Sequence, residues 1–378
     1  MSLSYLHEIR ALRGTQELII NRRNQNRYTV LAAENDGSTT AYCFSTPIYN
    51  ESSRRIVSPT FRNEGGSFLH TGSNAETAAA PGEITLSNRE GSLRVELDGF
   101  QPPQGDARKI TYGGLELTPA ANGVLCSAVS QKEGFALRLT TQTPFLRIRA
   151  SSKYFALMSE DFRPFMTLSA LGVSDSTGNV CAPAEVGYQQ LDDRSYAVTI
   201  KPLAGIGNRL LFELNLYEPK LFQDTTVDSA NPQENNAFGA AAFIGNTAAL
   251  GEQWLYTRPD LERFPALRNR HIKRIRLYLP NLSGRRLTLC AHRTAQRFCS
   301  FGSNWENKVA VGSGAAKSSA VGRYEMLELT ELLTDPRTGA FIQSEGLIFR
   351  TGEKGSGFTA VATGDSYSAP QILEINFR

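Results

Sequence analysis

Short runs of alternating apolar and polar residues recur along most of the chain, and they predict its fold class. From about residue 18 to residue 220 the runs are bounded by Gly, Pro, Asn or Asp, and no long helical pattern separates them. A period of two is typical of a β-strand with one buried face, and strands at this spacing form antiparallel sheets. The sequence therefore predicts an all-β protein built from tandem antiparallel β-sandwiches.

One hairpin can be predicted from its own residues. Apolar side chains alternate from Ile84 to Leu86 and again from Leu93 to Leu97, on either side of a polar turn that ends at Gly91. A slip of one residue would turn every apolar side chain to the wrong face, so this pattern specifies the pairing of the two strands. We expect one face of the hairpin to be buried.

The beginning of the chain departs from the strand pattern. Leu3, Leu6, Ile9 and Leu12 recur at helical spacing, and Gly14 follows them as a stop signal. Because an apolar stripe followed by glycine is typical of a short amphipathic helix, we expect a helix at the N-terminus.

Three internal segments also depart from the strand pattern. Residues 156–171 have some helical character, whereas residues 65–82 and 171–187 are rich in Gly, Ser, Ala and Asn. Such compositions are typical of turns and loops. We expect the two small-residue segments to be surface loops.

The last two fifths of the chain carry an ordered series of short motifs. It opens with a run of Asp, Ser, Pro, Asn and Gly, continues through an arginine-rich strand and a Trp-Glu pair, and closes on a strand preceded by proline. The matching residues are Asp224, Asp228, Ser229, Pro232, Asn236, Gly239, Trp305, Glu306, Thr330 and Pro370. The series resembles the DNRLRE domain, and it departs from that family at residues 254–261, where the family has an Arg-x-Leu-x-x-Phe strand.

The resemblance implies a jelly-roll-like β-sandwich of the kind found as a module in bacterial and archaeal surface proteins, some of which act on polysaccharides. Upstream, Tyr196–Pro202 is similar to a Tyr-Pro-Val-Thr-Ile-Asp-Pro strand in the sandwich that precedes this domain in wall-associated and YD-repeat surface proteins, with Lys201 in place of the acid. Together these resemblances divide the chain near residue 220. We expect an N-terminal β-sandwich region at 1–221, with room for two subdomains, and the jelly-roll-like sandwich at 222–378.

Length and composition fit this division. A chain of 378 residues is long for one core, and 40% hydrophobic with 20% charged residues is ordinary for a globular protein. No apolar run approaches the roughly 18 residues that span a bilayer, so we expect no membrane insertion. The first residues lack the features of a secretory signal, whereas the resemblance implies a cell-surface or extracellular location.

Five cysteines are scattered without a short repeated spacing: Cys43, Cys126, Cys181, Cys290 and Cys299. An odd number cannot pair completely within one chain, and free cysteine is among the most buried residue types. We expect largely reduced thiols.

Catalytic signatures are missing from the sequence. It contains neither a G-x-S-x-G elbow nor an HExxH motif, and the Gly312–Ser319 segment has Ala316 where a phosphate-binding loop needs glycine. That segment predicts a flexible loop instead. Glu306, Glu325 and Glu328 are nominal candidates for glycoside hydrolysis, but the separation such a reaction needs is a property of the fold. We expect a protein that is not an enzyme and needs no cofactor.

One group of residues suggests metal chemistry. Cys290 and His292 are two apart and would share a face of a strand, with Cys299 nearby in sequence. Structural zinc motifs have a second close pair of ligands, which this group lacks. We expect no metal at this position, with Leu289 and Ala291 forming the buried face of the strand.

Trp305 and Glu306 allow two interpretations. An exposed tryptophan beside a carboxylate could stack on a sugar and hydrogen-bond its hydroxyls. A buried tryptophan would instead close one end of the sandwich, since large aromatic side chains dominate core energetics. The sequence favours the second interpretation but leaves the pair as a candidate ligand site.

Positive charge is concentrated in residues 256–300. The eleven basic residues there are Arg258, Arg263, Arg268, Arg270, Lys273, Arg274, Arg276, Arg285, Arg286, Arg293 and Arg297. In the strand at 274–279, alternation predicts Ile275, Leu277 and Leu279 inward and Arg274, Arg276 and Tyr278 outward, as candidate ligand-binding residues. The charge is typical either of a solvated face or of contact with an anionic glycan or an acidic neighbouring surface. Nucleic acid is disfavoured because no recognition motif accompanies it.

Three hypotheses for function follow. The first is a non-enzymatic structural or surface-assembly protein that self-associates through its β-sandwich domains. The second is a carbohydrate-binding module for an anionic glycan, and the third is an accessory part of a polysaccharide-acting enzyme. The net charge is only +3, so acidic surface must balance the basic region, and head-to-tail contact between the two would build rings or filaments. We expect a homo-oligomer or polymer with contacts through the basic region and the N-terminal helix.

Overall fold

The structure is a computed structural model. It describes residues 5–21, 26–97, 99, 101–142, 147–205, 207–260, 264, 267, 270–342, 345–352, 355 and 357–378. The chain divides into two compact units. Unit 1 comprises Tyr49–Pro219 and Phe238–Ala240, and unit 2 comprises Tyr5–Ile48, Lys220–Ala237 and Ala241–Arg378.

The secondary structure is almost entirely strand. The first elements are α1 (Tyr5–Arg13), β1 (Ile19–Asn21), β2 (Thr29–Ala33), β3 (Thr39–Phe44), β4 (Arg62–Glu64), β5 (Ser67–Thr71), β6 (Glu76–Ala80), β7 (Glu83–Ser87), β8 (Ser92–Glu96), β9 (Gln104–Gly105) and β10 (Ile110–Tyr112). They are followed by β11 (Leu115–Ala120), β12 (Gly123–Val129), β13 (Phe135–Thr141), β14 (Arg147–Ser151), β15 (Tyr154–Met158), β16 (Pro164–Ser174), β17 (Val180–Ala182), β18 (Ala184–Gln190), β19 (Ser195–Pro202) and β20 (Arg209–Leu216). The last elements are β21 (Phe222–Asp228), β22 (Ala241–Thr247), β23 (Gly251–Pro259), β24 (Ile272–Pro280), β25 (Leu289–Arg293), β26 (Ala316–Val321), β27 (Tyr324–Glu328), α2 (Thr330–Leu333), β28 (Leu347–Thr351), β29 (Gly357–Ala362) and β30 (Ile372–Phe377).

Unit 1 is a sandwich of two antiparallel sheets. Within the described ranges one sheet runs β14-β15-β16-β20-β12-β11-β10-β9, with β17 beside β16, and the other runs β18-β19-β13-β8-β7-β6-β5-β4. The predicted hairpin is β7–β8, paired in the predicted register, with Leu86 opposite Leu93. Both side chains are buried in a core to which the two sheets contribute. The all-β fold class is therefore confirmed.

Unit 2 is built from one long antiparallel sheet that folds over its own core. Its strand order is β1-β2-β3-β30-β24-β27-β26-β25-β28-β23-β22-β29, with β21 on β23. Its core joins Leu277 and Leu373 from the first half of this order to Leu255 and Phe349 from the second half. Leu373, Ile375 and Phe377 are all buried there, as predicted. Burying each such side chain contributes about 1.5–3 kcal/mol.

The N-terminal segment belongs to unit 2, whereas the sequence placed it with residues 1–221. β3 pairs with β30 along its whole length, from Thr39 opposite Phe377 to Phe44 opposite Ile372. Ala41 on β3 adds to the unit 2 core. The physical reason is the edge of β30: without β3 it would expose unpaired backbone groups, so a distant segment covers it.

The N-terminal helix is present, but its buried face differs from the predicted one. Tyr5, Glu8, Ile9 and Arg13 are buried, whereas Leu6 and Leu12 are only partly buried. Gly14 ends the helix with φ near 62°, a conformation that favours glycine. Leu3 lies outside the described residues.

Polar residues of the helix bind the outer face of the sheet. Arg13 donates to both carboxylate oxygens of Glu34, at 2.7 and 3.0 Å, and the Tyr324 hydroxyl donates to Glu8 at 2.6 Å. The Tyr5 ring meets Phe44 edge-on at 5.4 Å. The helix therefore covers this face through polar as well as apolar contacts.

Several segments rich in small residues are strands, contrary to prediction. β5 and β6 occupy 65–82, the end of β16 together with β17 and β18 occupies 171–187, and β26 takes up much of the Gly312–Ser319 segment. Residues 156–171 contain no helix either: they form the end of β15, a turn and most of β16. The composition was misleading because small side chains fit where a strand packs closely: Ala79 is fully buried in the unit 1 core.

No helix among the described residues is long and apolar enough to span a membrane. The five cysteines form no disulfide in the structure, and Cys43, Cys126 and Cys290 are buried. Burial raises the pKa of the Cys43 thiol to about 12, so this sulfur is an inert part of the core.

Candidate ligand-binding face

The structure separates the five sequence-predicted ligand residues into two groups within unit 2. Arg274, Arg276 and Tyr278 lie on β24, while Trp305 and Glu306 lie on the long loop that follows β25. The two groups differ in their availability to a ligand.

The β24 group is already engaged within the protein. Arg274 donates to Glu374 at 2.8 Å, and Arg276 donates to Glu328 at 2.9 Å. Tyr278 is 2% exposed and donates its hydroxyl to Glu374 at 3.0 Å. Tyr278 lies on the outward face of β24, as predicted, but it is not available to a ligand, because this face is buried here, where Tyr324 packs edge-on at 5.9 Å.

Other charges of the 256–300 region are paired in the same way. Lys273 contacts Asp36 at 2.6 Å and Arg286 contacts Glu325 at 3.2 Å. Arg258 is buried, and Arg263, Arg268 and Glu262 lie outside the described residues. Among the described residues, Lys273, Arg274, Arg276 and Arg286 are thus paired with acids from distant parts of the chain.

The nominal hydrolase carboxylates have separate partners. Glu325 is buried and accepts hydrogen bonds from Asn281, whereas Glu328 is exposed and holds Arg276. Glu306 is exposed and accepts a hydrogen bond from Gln233 at 3.3 Å. Glu325 and Leu327 are two residues apart and lie on the core-facing side of β27, whereas Glu328 lies on the opposite side of the same strand. These two side chains therefore do not converge.

Trp305 lies on the outer face of the second half of the unit 2 sheet. Its ring packs against Trp254 of β23, with ring centroids 5.4 Å apart and planes at 60°. Both rings are partly buried over a small cluster that contains Tyr256, Phe298 and Ile348. Trp305 therefore does not close the end of the sandwich, contrary to the interpretation that the sequence favoured.

Cationic groups lie beside the two tryptophans. The Lys308 ammonium is 4.0 Å from the centre of the Trp305 ring and 5.7 Å from that of Trp254. The Arg350 guanidinium is 6.0 Å from the Trp254 ring. The indole N–H of Trp254 donates to the Glu252 carboxylate at 2.8 Å, which fixes the ring on the sheet. Two aromatic rings are thus held between a lysine and an arginine.

A groove of about 770 Å³ adjoins these rings. Its lining residues are Asn246, Glu252, Thr288, Cys290, His292, Lys317, Arg350, Thr351, Gly352 and Gly355. A volume of this size lies within the range of small-molecule sites. Glu252 and Arg350 belong both to the groove and to the surroundings of Trp254, so rings and groove form one surface. We call it the tryptophan face and define it by Glu252, Trp254, His292, Trp305, Lys308, Lys317 and Arg350.

His292 faces Arg350 within the groove. Its Nε2 accepts from Arg350 at 3.4 Å, and its Nδ1 lies 3.1 Å from the Gly314 carbonyl oxygen, to which it can donate. Partial burial and the Arg350 charge lower the pKa of His292. The neutral imidazole fits both contacts, because it has one donor and one acceptor nitrogen.

The Cys290–His292–Cys299 group forms no metal cluster. Among the residues that the structure describes, no group of three or more His, Cys, Asp or Glu side chains converges as a metal site would require. Cys290 and His292 both line the groove, while Leu289 and Ala291 are buried on the other face, as predicted.

Sequence reasoning missed Trp254, Lys308 and Arg350. One available signal was that the chain has only two tryptophans, and the structure brings both together. A second was the alternation of Trp254 and Tyr256 against Leu255, which assigns Trp254 to the outer side of β23.

The residues that carry the DNRLRE resemblance support the backbone. Asp228 accepts from the Asn231 amide at 2.9 Å, and Ser229 accepts from the Glu252 amide at 2.9 Å. Thr330 accepts from the Ile275 amide at 2.8 Å. These contacts tie loops to strands within unit 2. A scan against family models finds no match to this chain, and no curated protein matches it.

Proposed function

We propose that this protein is a non-enzymatic β-sandwich protein whose tryptophan face binds an anionic carbohydrate. The observation that carries the proposal is the pairing of Trp254 and Trp305 beside Lys308 and Arg350, next to a groove that Arg350 lines. Sugar rings present C–H faces that stack on tryptophan, and the cations complement a carboxylate or sulfate group. The DNRLRE resemblance supports the same function, since such modules occur with polysaccharide-acting proteins.

The direct test compares a charged polymer with its neutral parent. Dextran sulfate and dextran share one backbone, so binding of both to the purified protein in a calorimeter separates the contribution of charge. We expect binding to dextran sulfate that weakens with added salt, as charge pairing does. A polyuronate tests carboxylate in place of sulfate. Lack of binding to all charged polymers, with a negative glycan array, would exclude the proposal.

His292 gives the proposed site a pH dependence. In the free protein its pKa is lowered, so the imidazole is neutral near pH 7, and a bound anion would favour the protonated form. Protons are then taken up on binding, and affinity rises as pH falls. Because the charge of dextran sulfate does not titrate in this range, we expect its Kd to decrease about threefold to tenfold from pH 7.5 to pH 5. The Kd of H292Q should hardly change with pH. If the Kd of H292Q changes with pH as much as that of the wild type, a group other than His292 causes the pH dependence.

A second candidate function, self-association, is favoured by one edge strand of unit 1. β18 is the last strand of its sheet, and its second half carries Gly187, Tyr188, Gln189 and Gln190, which are all exposed and uncharged. Such an edge can pair with the same edge of another copy. The basic region and the N-terminal helix, by contrast, make many contacts within unit 2, so we place the proposed assembly contact at β18.

Charge on this edge should prevent such assembly. We expect the wild-type protein to form dimers or longer species in light scattering at high concentration, and Q189K/Q190K to remain monomeric, since like charges on both edges would oppose each other. K273M, a surface change in unit 2, serves as a control that should assemble normally. A wild-type protein that stays monomeric at high concentration and low salt would remove the self-association candidate and leave glycan binding as the function.

A further inference from the structure

A lysine and two aspartates meet in the interior of unit 2, away from the tryptophan face. Lys220 precedes β21, Asp224 lies on β21, and Asp365 follows β29. The side chains of Lys220 and Asp365 are 5% and 7% exposed, and Asp224 is 3% exposed. Charged residues are seldom buried to this degree, and lysine least readily because its ammonium group is strongly hydrated.

The side chains of Lys220 and Asp224 both contact Asp365. The Nζ atom of Lys220 is in direct contact with Oδ1 of Asp365. Asp224 is hydrogen-bonded to Asp365, and its Oδ2 also accepts from the Gly364 amide. The Tyr367 ring, itself buried, lies 4.8 Å from the Lys220 Nζ and covers the group. An amine, a carboxyl group and a second acid are therefore aligned in a site closed to bulk water.

Burial determines which protonation states are favoured. Burial, and then the neighbouring Asp365, raise the pKa of Asp224 well above its usual range, so this acid holds its proton. In a medium of low polarity a lysine–carboxylic acid pair can exchange its ion pair for the neutral amine and neutral acid by moving one proton. The neutral amine is a nucleophile, and the neutral carboxyl carbon is its electrophile.

We propose that Lys220 and Asp365 join in an intramolecular isopeptide bond, with Asp224 as the catalytic acid. The Lys220 Nζ forms a bond to Cγ of Asp365, while Asp224 donates its proton toward the carboxyl oxygen on which negative charge develops. The amine proton passes to Asp224, which delivers it to the departing hydroxyl, so that the C–O bond breaks and one water molecule leaves. The proton that Asp224 first donated returns to it as the carbonyl group re-forms. An amine and a carboxylic acid give an amide and water, so the step requires no oxidant, reductant or activating cofactor.

The bond would connect positions that are 145 residues apart in the chain. It would fasten the beginning of β21 to the segment between β29 and β30, two parts of unit 2 that only tertiary structure brings together. A covalent link over so long a loop restricts the unfolded chain, as a disulfide does, but it resists reduction. The inference does not depend on glycan binding.

Mass spectrometry of the intact, denatured protein tests the bond. We expect the wild-type mass to be lower than the sequence mass by one water molecule, and a tryptic digest to contain a branched peptide in which Lys220 is joined to Asp365. K220M, D365A and D224N should each have the full mass of their sequences. D365N should lose ammonia in place of water, because its amide is the leaving group in the same reaction. K273M is the control lysine variant and should keep the deficit.

Two results would overturn the proposal. One is a folded wild-type protein, verified by circular dichroism, with its full sequence mass. The other is a mass deficit that fragmentation traces to a cyclic imide at Asp365 alone, with Lys220 still cleaved by trypsin. Because both are read on the wild-type chain, the test holds even where a variant fails to fold.

Discussion

Replacing Trp254 with alanine is expected to weaken binding of the anionic glycan by about thirtyfold, equivalent to about 2 kcal/mol. Trp254 contacts Trp305 and Glu252 and lies beside Lys308 and Arg350, so its loss removes one stacking surface and loosens the groups around it. Calorimetry with dextran sulfate measures the change. W305A should give a smaller loss, because Trp305 lies on a loop, whereas Trp254 lies on β23 and its ring is fixed by the groove residue Glu252.

The matched control is F162A. Phe162 is 60% exposed and lies in unit 1, so its removal takes away an aromatic surface that the proposed site does not use. We expect unchanged affinity in this variant. The double variant W254A/W305A should lose less than the sum of the single changes, since the two rings act as one surface. If W254A is folded and binds the glycan as tightly as the wild type, the glycan site does not lie on the tryptophan face.

Replacing Glu374 with alanine is expected to lower the free energy of unfolding by about 3 kcal/mol. The Glu374 side chain is only 4% exposed, yet it holds Arg274 on one oxygen and the Tyr278 hydroxyl on the other. Its removal leaves the buried Tyr278 hydroxyl without this acceptor and frees Arg274, which can turn to water. Denaturant unfolding followed by circular dichroism measures the loss.

Glu328 provides the comparison for Glu374, because it lies on β27, on the other side of β24 from β30. It pairs with Arg276 in the same manner, but it is 47% exposed, and exposed pairs contribute less than about 1 kcal/mol. We therefore expect the free energy of unfolding of E328A to differ from that of the wild type by less than about 1 kcal/mol. E374Q keeps one acceptor oxygen, so its free energy of unfolding should lie between those of E374A and E328A. Equal stability losses in E374A and E328A would show that burial of the Glu374 pair has no energetic consequence.

Because Arg274 and Arg276 pair with acids inside the protein, the basic segment at 256–300 does not form one continuous positive surface. Eleven basic residues within 45 positions suggested a positive surface, but a sequence segment is not a surface patch. Neighbouring strands in a sheet come from distant parts of the chain, and in unit 2 they bring Glu374 and Glu328 to the arginines. The cations of the tryptophan face come instead from β26, β28 and the loop after β25.

Local pattern alone determined much of the fold. The period-two alternation predicted the β7–β8 hairpin, the inward side chains of β24 and β30, and the all-β class. It could do so because a strand with one buried face must alternate, whatever it pairs with. The glycine after α1 predicted the end of the helix for an equally local reason, its positive φ.

Only tertiary structure decided which strands meet, and the site depends on that choice. Pairing of β3 with β30 draws the N-terminus into unit 2, and pairing of β23 with β28 sets Trp254 beside Arg350. Lys220 and Asp365 meet although 145 residues separate them. Periodicity states which face of a strand is buried, but the partner of each edge depends on backbone hydrogen bonding and shape across the whole core, which no local stretch of sequence encodes.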